Sequence, residues 1–126
     1  MDEKSSILII DDDVRILDAM RDALDAAGFD VTIAVDGSQG LKMLEEVQFQ
    51  LIISDIVMED MGGIEFLRKI RKTGISTPVV IMSGDPIGEN FFKSAKLLGA
   101  CFCLQKPFTA RTLFDVIQKI LPYASE

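Results

Sequence analysis

The chain has no histidine among its 126 residues. That absence excludes Ser-His-Asp and Cys-His catalysis, the two-histidine-one-carboxylate iron site and histidine-ligated zinc. It also means that the chain cannot itself carry a phosphohistidine. A metal site here must be built mostly from oxygen, which favours Mg²⁺, Mn²⁺ or Ca²⁺. A basic excess is missing too. Lys and Arg number 13 against 20 Asp and Glu, for a net charge of −7, and no long basic run offers the face that sequence-independent nucleic-acid binding requires. No direct contact with nucleic acid is expected. No apolar stretch approaches the roughly 18 residues of a membrane span, and Met1 to Ser6 is acidic and polar, unlike a signal peptide. The expectation is a cytoplasmic protein with no membrane contact. Cysteine is scarce. Cys101 and Cys103 stand two apart in an apolar run, which places both on one face of a strand as buried, reduced thiols. Repeats, low-complexity tracts and linkers are absent as well. The length suits one domain over residues 1–126, with a core over about 6–121. Nothing after Leu121 is long enough for a DNA-binding module, so output is expected to run through a protein partner or a separate chain.

What is present is a strand-helix alternation, five times over. Ile7 to Ile10 reads as the first strand, Val31 to Val35 as the second, Leu51 to Ser54 as the third, Val79 to Met82 as the fourth and Cys101 to Leu104 as the fifth. Between them, apolar residues recur at helical spacing: Ile16, Leu17, Met20, Ala23, Leu24 and Ala27, then Leu41, Leu44 and Val47, then Ile64, Leu67 and Ile70, then Phe91, Phe92, Ala95 and Leu98. Gly28 and Gly99 stop two of these helices, and Gly62-Gly63 breaks the chain before a third. Thr109 is placed to cap a last helix bearing Leu113, Val116, Ile117, Ile120 and Leu121. The pattern predicts an α/β, doubly wound, five-stranded parallel sheet with helices on both faces.

Four of the apolar runs end in residues able to handle a phosphoryl group. The first runs into Asp11, Asp12 and Asp13, the third through Ser54 into Asp55, the fourth into Ser83, and the fifth through Gln105 into Lys106 and Pro107. In a parallel sheet these all lie at the carboxyl edge, where ligands bind. For the Asp-bearing strands to share a cation they must be neighbours, which the flavodoxin-like order 2-1-3-4-5 satisfies. Three clustered carboxylates repel one another and raise each other's pKa, and a divalent cation reverses that cost. Asp55 is then the candidate nucleophile toward phosphorus, with the Lys106 ammonium and the Ser83 hydroxyl on the equatorial oxygens. Taken singly the residues are ordinary: Asp13 a helix N-cap, Ser83 a turn residue before Gly84, Lys106 a surface lysine. The signal lies in their sharing one sheet edge.

On these residues the chain resembles the receiver domains of the two-component response-regulator family, over nearly its whole length. The family's acidic pair corresponds to Asp11 and Asp12, its phospho-acceptor to Asp55 within the segment DIVMEDMGG, its switch hydroxyl to Ser83, and its lysine-proline pair to Lys106-Pro107. The resemblance implies Mg²⁺ (or Mn²⁺) held by Asp12, Asp55 and the Val57 carbonyl, with Asp11 acting mainly through water. It implies a cis Lys106-Pro107 bond. It implies a signalling protein, not an enzyme in its own right, that assists its own phosphorylation and dephosphorylation. The phosphoryl donor would be a histidine kinase or a phosphotransfer protein, and the target a protein reading helix 4, strand 5 and helix 5; a homodimer stays open.

Three positions depart from the family pattern. Glu59 stands where proline is frequent four after the acceptor. Cys103 occupies the usual position of the switch aromatic, with Phe102 next to it facing the other way, so no rotating ring is expected. Asp85 lies two after the switch serine, where it bears on access of attacking water. Two other readings compete. Asp11-x-Asp13 after a strand resembles the haloacid-dehalogenase phosphatases, with Asp11 as nucleophile, although Arg15 stands where that pattern expects Thr or Val and the chain lacks a cap. The other is an interaction module that works without phosphorylation. A phosphate carried on Asp55 separates the receiver reading from both.

Overall fold

A computed structural model of the chain describes residues 5–58, 60–84 and 89–121, with the side chains of 89–92 outside the description. Strands β1 (Ser6–Ile10), β2 (Asp30–Ala34), β3 (Leu51–Asp55), β4 (Val79–Ser83) and β5 (Ala100–Gln105) alternate with helices α1 (Val14–Ala26), α2 (Gly37–Glu46), α3 (Gly63–Lys72), α4 (Glu89–Leu97) and α5 (Ala110–Ile120). The strands form one sheet, parallel as the alternation predicts, in the order β2-β1-β3-β4-β5 expected from neighbouring Asp-bearing strands. The near-continuous apolar runs follow from burial on both faces. Ile7, Ile9, Leu51, Ile53, Val80 and Met82 pack with α1 and α5, while Leu8, Ile10, Ile52, Val79 and Ile81 pack with α2, α3 and α4. Three helices thus cover one face and two the other.

Local chemistry sets the helix ends. Asp13, Asp36 and Thr109 are N-caps whose side chains accept from the backbone N–H groups of Arg15, Gln39 and Thr112. After α1 the chain reverses at Gly28, whose φ of +96° suits a residue without Cβ. The Phe29 N–H then returns to the Leu24 carbonyl, satisfying an orphan acceptor. At the far end of the sheet from the Asp residues, Arg71 ties α3 to its surroundings. Its guanidinium donates to the carbonyls of Ile75, Thr77, Leu98 and Gly99 at 2.9–3.2 Å.

Three details correct the sequence-based expectations. Strand β2 begins and ends one residue early, leaving Val35 in the following loop and 41% exposed. Val47 caps α2 from outside the helix instead of extending its apolar face. The cysteines do not form a buried pair: Cys101 is exposed and Cys103 half-buried. A register shift is responsible. Val79 pairs with Ala100 but Val80 pairs with Phe102, so the strand carries an extra residue at Cys101 and simple alternation fails there. Beyond it alternation resumes, with Cys103 facing the α3–α4 side and Phe102 the α5 side. There Lys119 lies over the Phe102 ring at 6.0 Å from its centroid. The expectations resting on Glu59, Asp85, Phe91 and Phe92 fall outside the described residues and side chains.

Candidate functional site

The carboxyl ends of β1, β3, β4 and β5 converge on one edge of the sheet. Parallel pairing of β1 with β3 sets Ile10 against Ser54, which brings Asp11 and Asp12 alongside Asp55. One carboxylate oxygen from each of Asp11, Asp12 and Asp55 lies within 4.8 Å of the others. Asp11 is fully buried, Asp55 8% exposed and Asp12 open to solvent. Lys106 reaches in from the end of β5, placing Nζ 2.6 Å from Asp11 Oδ2 and 3.3 Å from Asp55 Oδ2. The Lys106-Pro107 peptide is cis, and the Lys106 N–H donates to the Ser83 carbonyl. Ser83 ends β4 fully buried. Val57 lies just beyond β3 and is 61% exposed. Among the described residues, no buried side-chain nitrogen or oxygen lacks a hydrogen-bond partner.

Each oxygen of the two buried carboxylates has an assigned neighbour. Asp11 Oδ1 accepts from the Asp13 N–H at 3.0 Å while Oδ2 takes Lys106. Asp55 Oδ1 accepts from its neighbour's N–H, Ile56, at 2.8 Å, and Oδ2 holds the longer contact to Lys106. Lys106 is therefore primarily the partner of Asp11, and Asp55 is the more weakly committed carboxylate. Burial, with the charge of Asp11 beside it, pushes the Asp55 carboxyl above its ordinary range, and Lys106 offsets only part of this. Burial alone would lower the Lys106 ammonium, but the hydrogen bond to Asp11 and the charges of Asp55 and Asp11 outweigh it and raise its pKa.

Three carboxylates and one ammonium leave two formal negative charges uncompensated at this edge. An all-oxygen donor set with that deficit fits a hard divalent cation. Asp12 is open to solvent, and of the two buried carboxylates Asp11 holds the shorter contact to Lys106, 2.6 against 3.3 Å.

The loop from β3 to α3 brings in residues to which the sequence reading assigns no part in the site. Asp60, five after Asp55, accepts from the backbone N–H groups of Gly37 and Ser38 at 3.1 and 2.8 Å and from the Ser38 hydroxyl at 2.6 Å. Gly63 starts α3 against the end of β3. A Cβ there would stand 2.8 Å from the Asp55 carbonyl oxygen and 2.9 Å from Ile56 Cα. The sequence marks Gly63 only as a helix breaker, whereas its role is to let α3 approach the Asp55 backbone. Gly63→Ala should cost about 1–3 kcal/mol of stability through overpacking, because backbone cannot step aside as a flexible side chain can. Urea denaturation measures this, and an unchanged midpoint would count against the close approach.

A doubly wound sheet with this acidic cluster and lysine at its carboxyl edge defines a class of flavodoxin-like α/β modules. The chain belongs to the response regulator receiver domain family, whose model matches residues 7–118. It is 36% identical over 118 residues to the transcriptional regulatory protein CpxR homolog of Haemophilus influenzae, covering 93% of this chain and 50% of that protein. It is 35% identical over 120 residues to the probable chemotaxis protein CheY of Rhizobium etli, covering 94% of this chain and 93% of that protein. Among solved structures, it superposes on a CheY-like receiver domain protein of Methanospirillum hungatei with a TM-score of 0.90 at 30% identity, covering 97% of each chain. It also resembles the chemotaxis response regulator CheY4 of Vibrio cholerae, with a TM-score of 0.88 at 30% identity over 94% of this chain and 100% of that one. The chain spans about half the length of the CpxR-type relatives it matches. The module is therefore a response regulator receiver domain of two-component systems.

Proposed function

We propose that Asp55 accepts a phosphoryl group from a phosphohistidine on a partner histidine kinase or phosphotransfer protein. The observation that carries this is the asymmetry of the two buried carboxylates. On each residue Oδ1 accepts from a backbone N–H, but Lys106 holds Asp11 Oδ2 at 2.6 Å and Asp55 Oδ2 only at 3.3 Å. In the transfer, Asp55 Oδ2 attacks phosphorus in line. The O–P bond forms as the N–P bond to the partner's imidazole breaks, and the imidazole leaves with the bonding electron pair. Lys106 moves with its ammonium from Asp55 to a phosphoryl oxygen, keeping its bond to Asp11. The Ser83 hydroxyl, at the end of the adjacent strand, supplies a second donor to those oxygens.

Asp12, Asp55 and the Val57 carbonyl would hold Mg²⁺ or Mn²⁺. Bound there, the cation supplies charge neutralisation for the phosphoryl oxygens. The same engagement of Asp11 disfavours the phosphatase reading in which Asp11 is the nucleophile. The protein acts as a signalling module rather than an enzyme turning over a substrate, assisting its own phosphorylation and dephosphorylation at Asp55.

The phosphorylated state would shift an existing equilibrium of the surface made by α4, β5 and α5. Leu97 is 88% exposed near the end of α4, an apolar side chain suited to a protein target. A cytoplasmic setting suits a kinase-coupled module, and no helix among the described residues is long and apolar enough to cross a membrane.

Incubation with acetyl phosphate and Mg²⁺, read by intact mass, tests the function. One added phosphoryl group per chain is expected, and none when the cation is chelated before acetyl phosphate is added. No addition under any divalent cation would leave the phosphorylation-independent interaction module standing instead. Asp12→Ala should weaken Mg²⁺ binding ten-fold or more, at least about 1.4 kcal/mol. Unchanged affinity in a titration would remove Asp12 from the cation site.

A further inference from the structure

Asp60 belongs to the acceptor loop by sequence but spends its hydrogen bonds on another element. Its three contacts fall on the first turn of α2, which contributes no residue to the acidic cluster. The α2 turn already has its own cap in Asp36, so Asp60 satisfies further orphan N–H groups there. Beside this polar clasp is an apolar contact. Met61 is buried, and a Cβ on Gly37 would come within 2.5 Å of Met61 Cγ. At its own ends the loop is closed, because the Gly63 N–H donates to the Ile56 carbonyl at 2.8 Å and the Ile56 N–H donates to Asp55. Between these anchors lies Val57. Asp60 and Asp12 also border one concavity of about 530 Å³, together with Val14, Val35 and Asp36. The Ser38 hydroxyl bond, foremost, holds the Asp60 carboxyl below its ordinary range.

We propose that Asp60 is a positioning residue: its clasp on α2 holds the loop so that the Val57 carbonyl faces the cation, and couples occupancy of the site to the N-terminus of α2. This rests on the reading of Asp12, Asp55 and Val57 as the cation site. A loop already ordered by the clasp loses less freedom when the cation binds, so releasing it weakens binding. Linkage makes the effect reciprocal. If the clasp favours the occupied site, occupancy favours the clasp, and α2 registers the event although it touches neither cation nor phosphoryl group.

Amide NMR of the isotope-labelled full chain tests this, with Mg²⁺ alone and then with beryllofluoride as the phosphoryl mimic. In wild type, the Gly37 and Ser38 amides should shift together with those around Asp55. In Asp60→Ala the Mg²⁺ dissociation constant should rise about five-fold, the low end of typical coupling. The Gly37 and Ser38 amides should then stay silent while those near Asp55 still respond. Ser38→Ala keeps the backbone contacts and removes only the 2.6 Å bond, so an intermediate loss is expected from a variant that leaves the loop sequence intact. Equal affinity and equal α2 response in both variants and wild type would overturn the proposal, as would a wild type that binds Mg²⁺ with Gly37 and Ser38 unmoved. A wild type that binds no Mg²⁺ would overturn the cation site itself, and this inference with it.

Discussion

Replacing Lys106 with methionine is expected to lower the stability of the metal-free protein by about 3 kcal/mol at neutral pH, the lower end of what breaking a buried ion pair costs. The ammonium is the counter-charge to two carboxylates at 2.6 and 3.3 Å, one of them fully buried. Its own side chain is 15% exposed, so water screens part of the loss. The pH dependence has a definite sign. In wild type the Lys106 pKa is raised above its ordinary 10.5. Its stabilisation is thus fully present below that value and is lost as pH rises through the higher folded value. In Lys106→Met the lowering influence of the ammonium on the already raised Asp55 carboxyl is gone, so this carboxyl binds a proton more readily folded than unfolded. Stability of the variant should therefore recover as pH falls. Urea denaturation at pH 7 and pH 5 measures both effects. A loss below about 1 kcal/mol, or one independent of pH, would contradict the pairing.

Asp55→Asn should act in the opposite direction, making the metal-free protein more stable by on the order of 1 kcal/mol while abolishing phosphorylation. Burial and the neighbouring Asp11 raise the Asp55 pKa above its ordinary 3.8, so ionisation of this carboxyl opposes folding. The penalty is absent below 3.8, grows as pH rises through the folded value, and is fully present beyond it. The carboxamide keeps the shape and can still accept from Ile56, and Lys106 keeps its shorter bond to Asp11. Added Mg²⁺ should then reverse the ranking. It stabilises wild type by binding the folded state, and it has lost a ligand in the variant. Thermal denaturation with and without Mg²⁺ reads both halves. A variant less stable than wild type without metal would show that Asp55 is not a destabilising charge. These two results express one trade-off, in which a carboxylate is held in an unfavourable setting that a cation and a phosphoryl group relieve.

The strands and the placement of the acidic cluster at their ends were legible because their cause is local, and the strand order followed from the need for the two Asp-bearing strands to be neighbours. A short apolar run alternating with helical spacing reads as a buried parallel strand, and its last residue then lies at the carboxyl edge. The caps at Asp13 and Thr109 were legible for the same reason, since each bonds two or three residues away. The hidden features depend on partners with no side-chain signature. Asp60 bonds mainly to backbone 22 and 23 residues distant, and Arg71 bonds entirely to carbonyls. The preference of Lys106 for Asp11 over Asp55 is set by lysine reach and β5 register, not by spacing. The extra residue at Cys101 shows how one register shift defeats an alternation argument that holds for the rest of the strand.

The central claim is that the phosphoryl group resides on Asp55. The direct test is to phosphorylate wild type with acetyl phosphate and Mg²⁺, reduce the acyl phosphate with borohydride, and locate the converted residue by peptide mass. The account predicts conversion at position 55 alone, with none in Asp55→Asn. Conversion at Asp11, Asp12 or Asp13, or undiminished labelling of the Asp55→Asn protein, would contradict it.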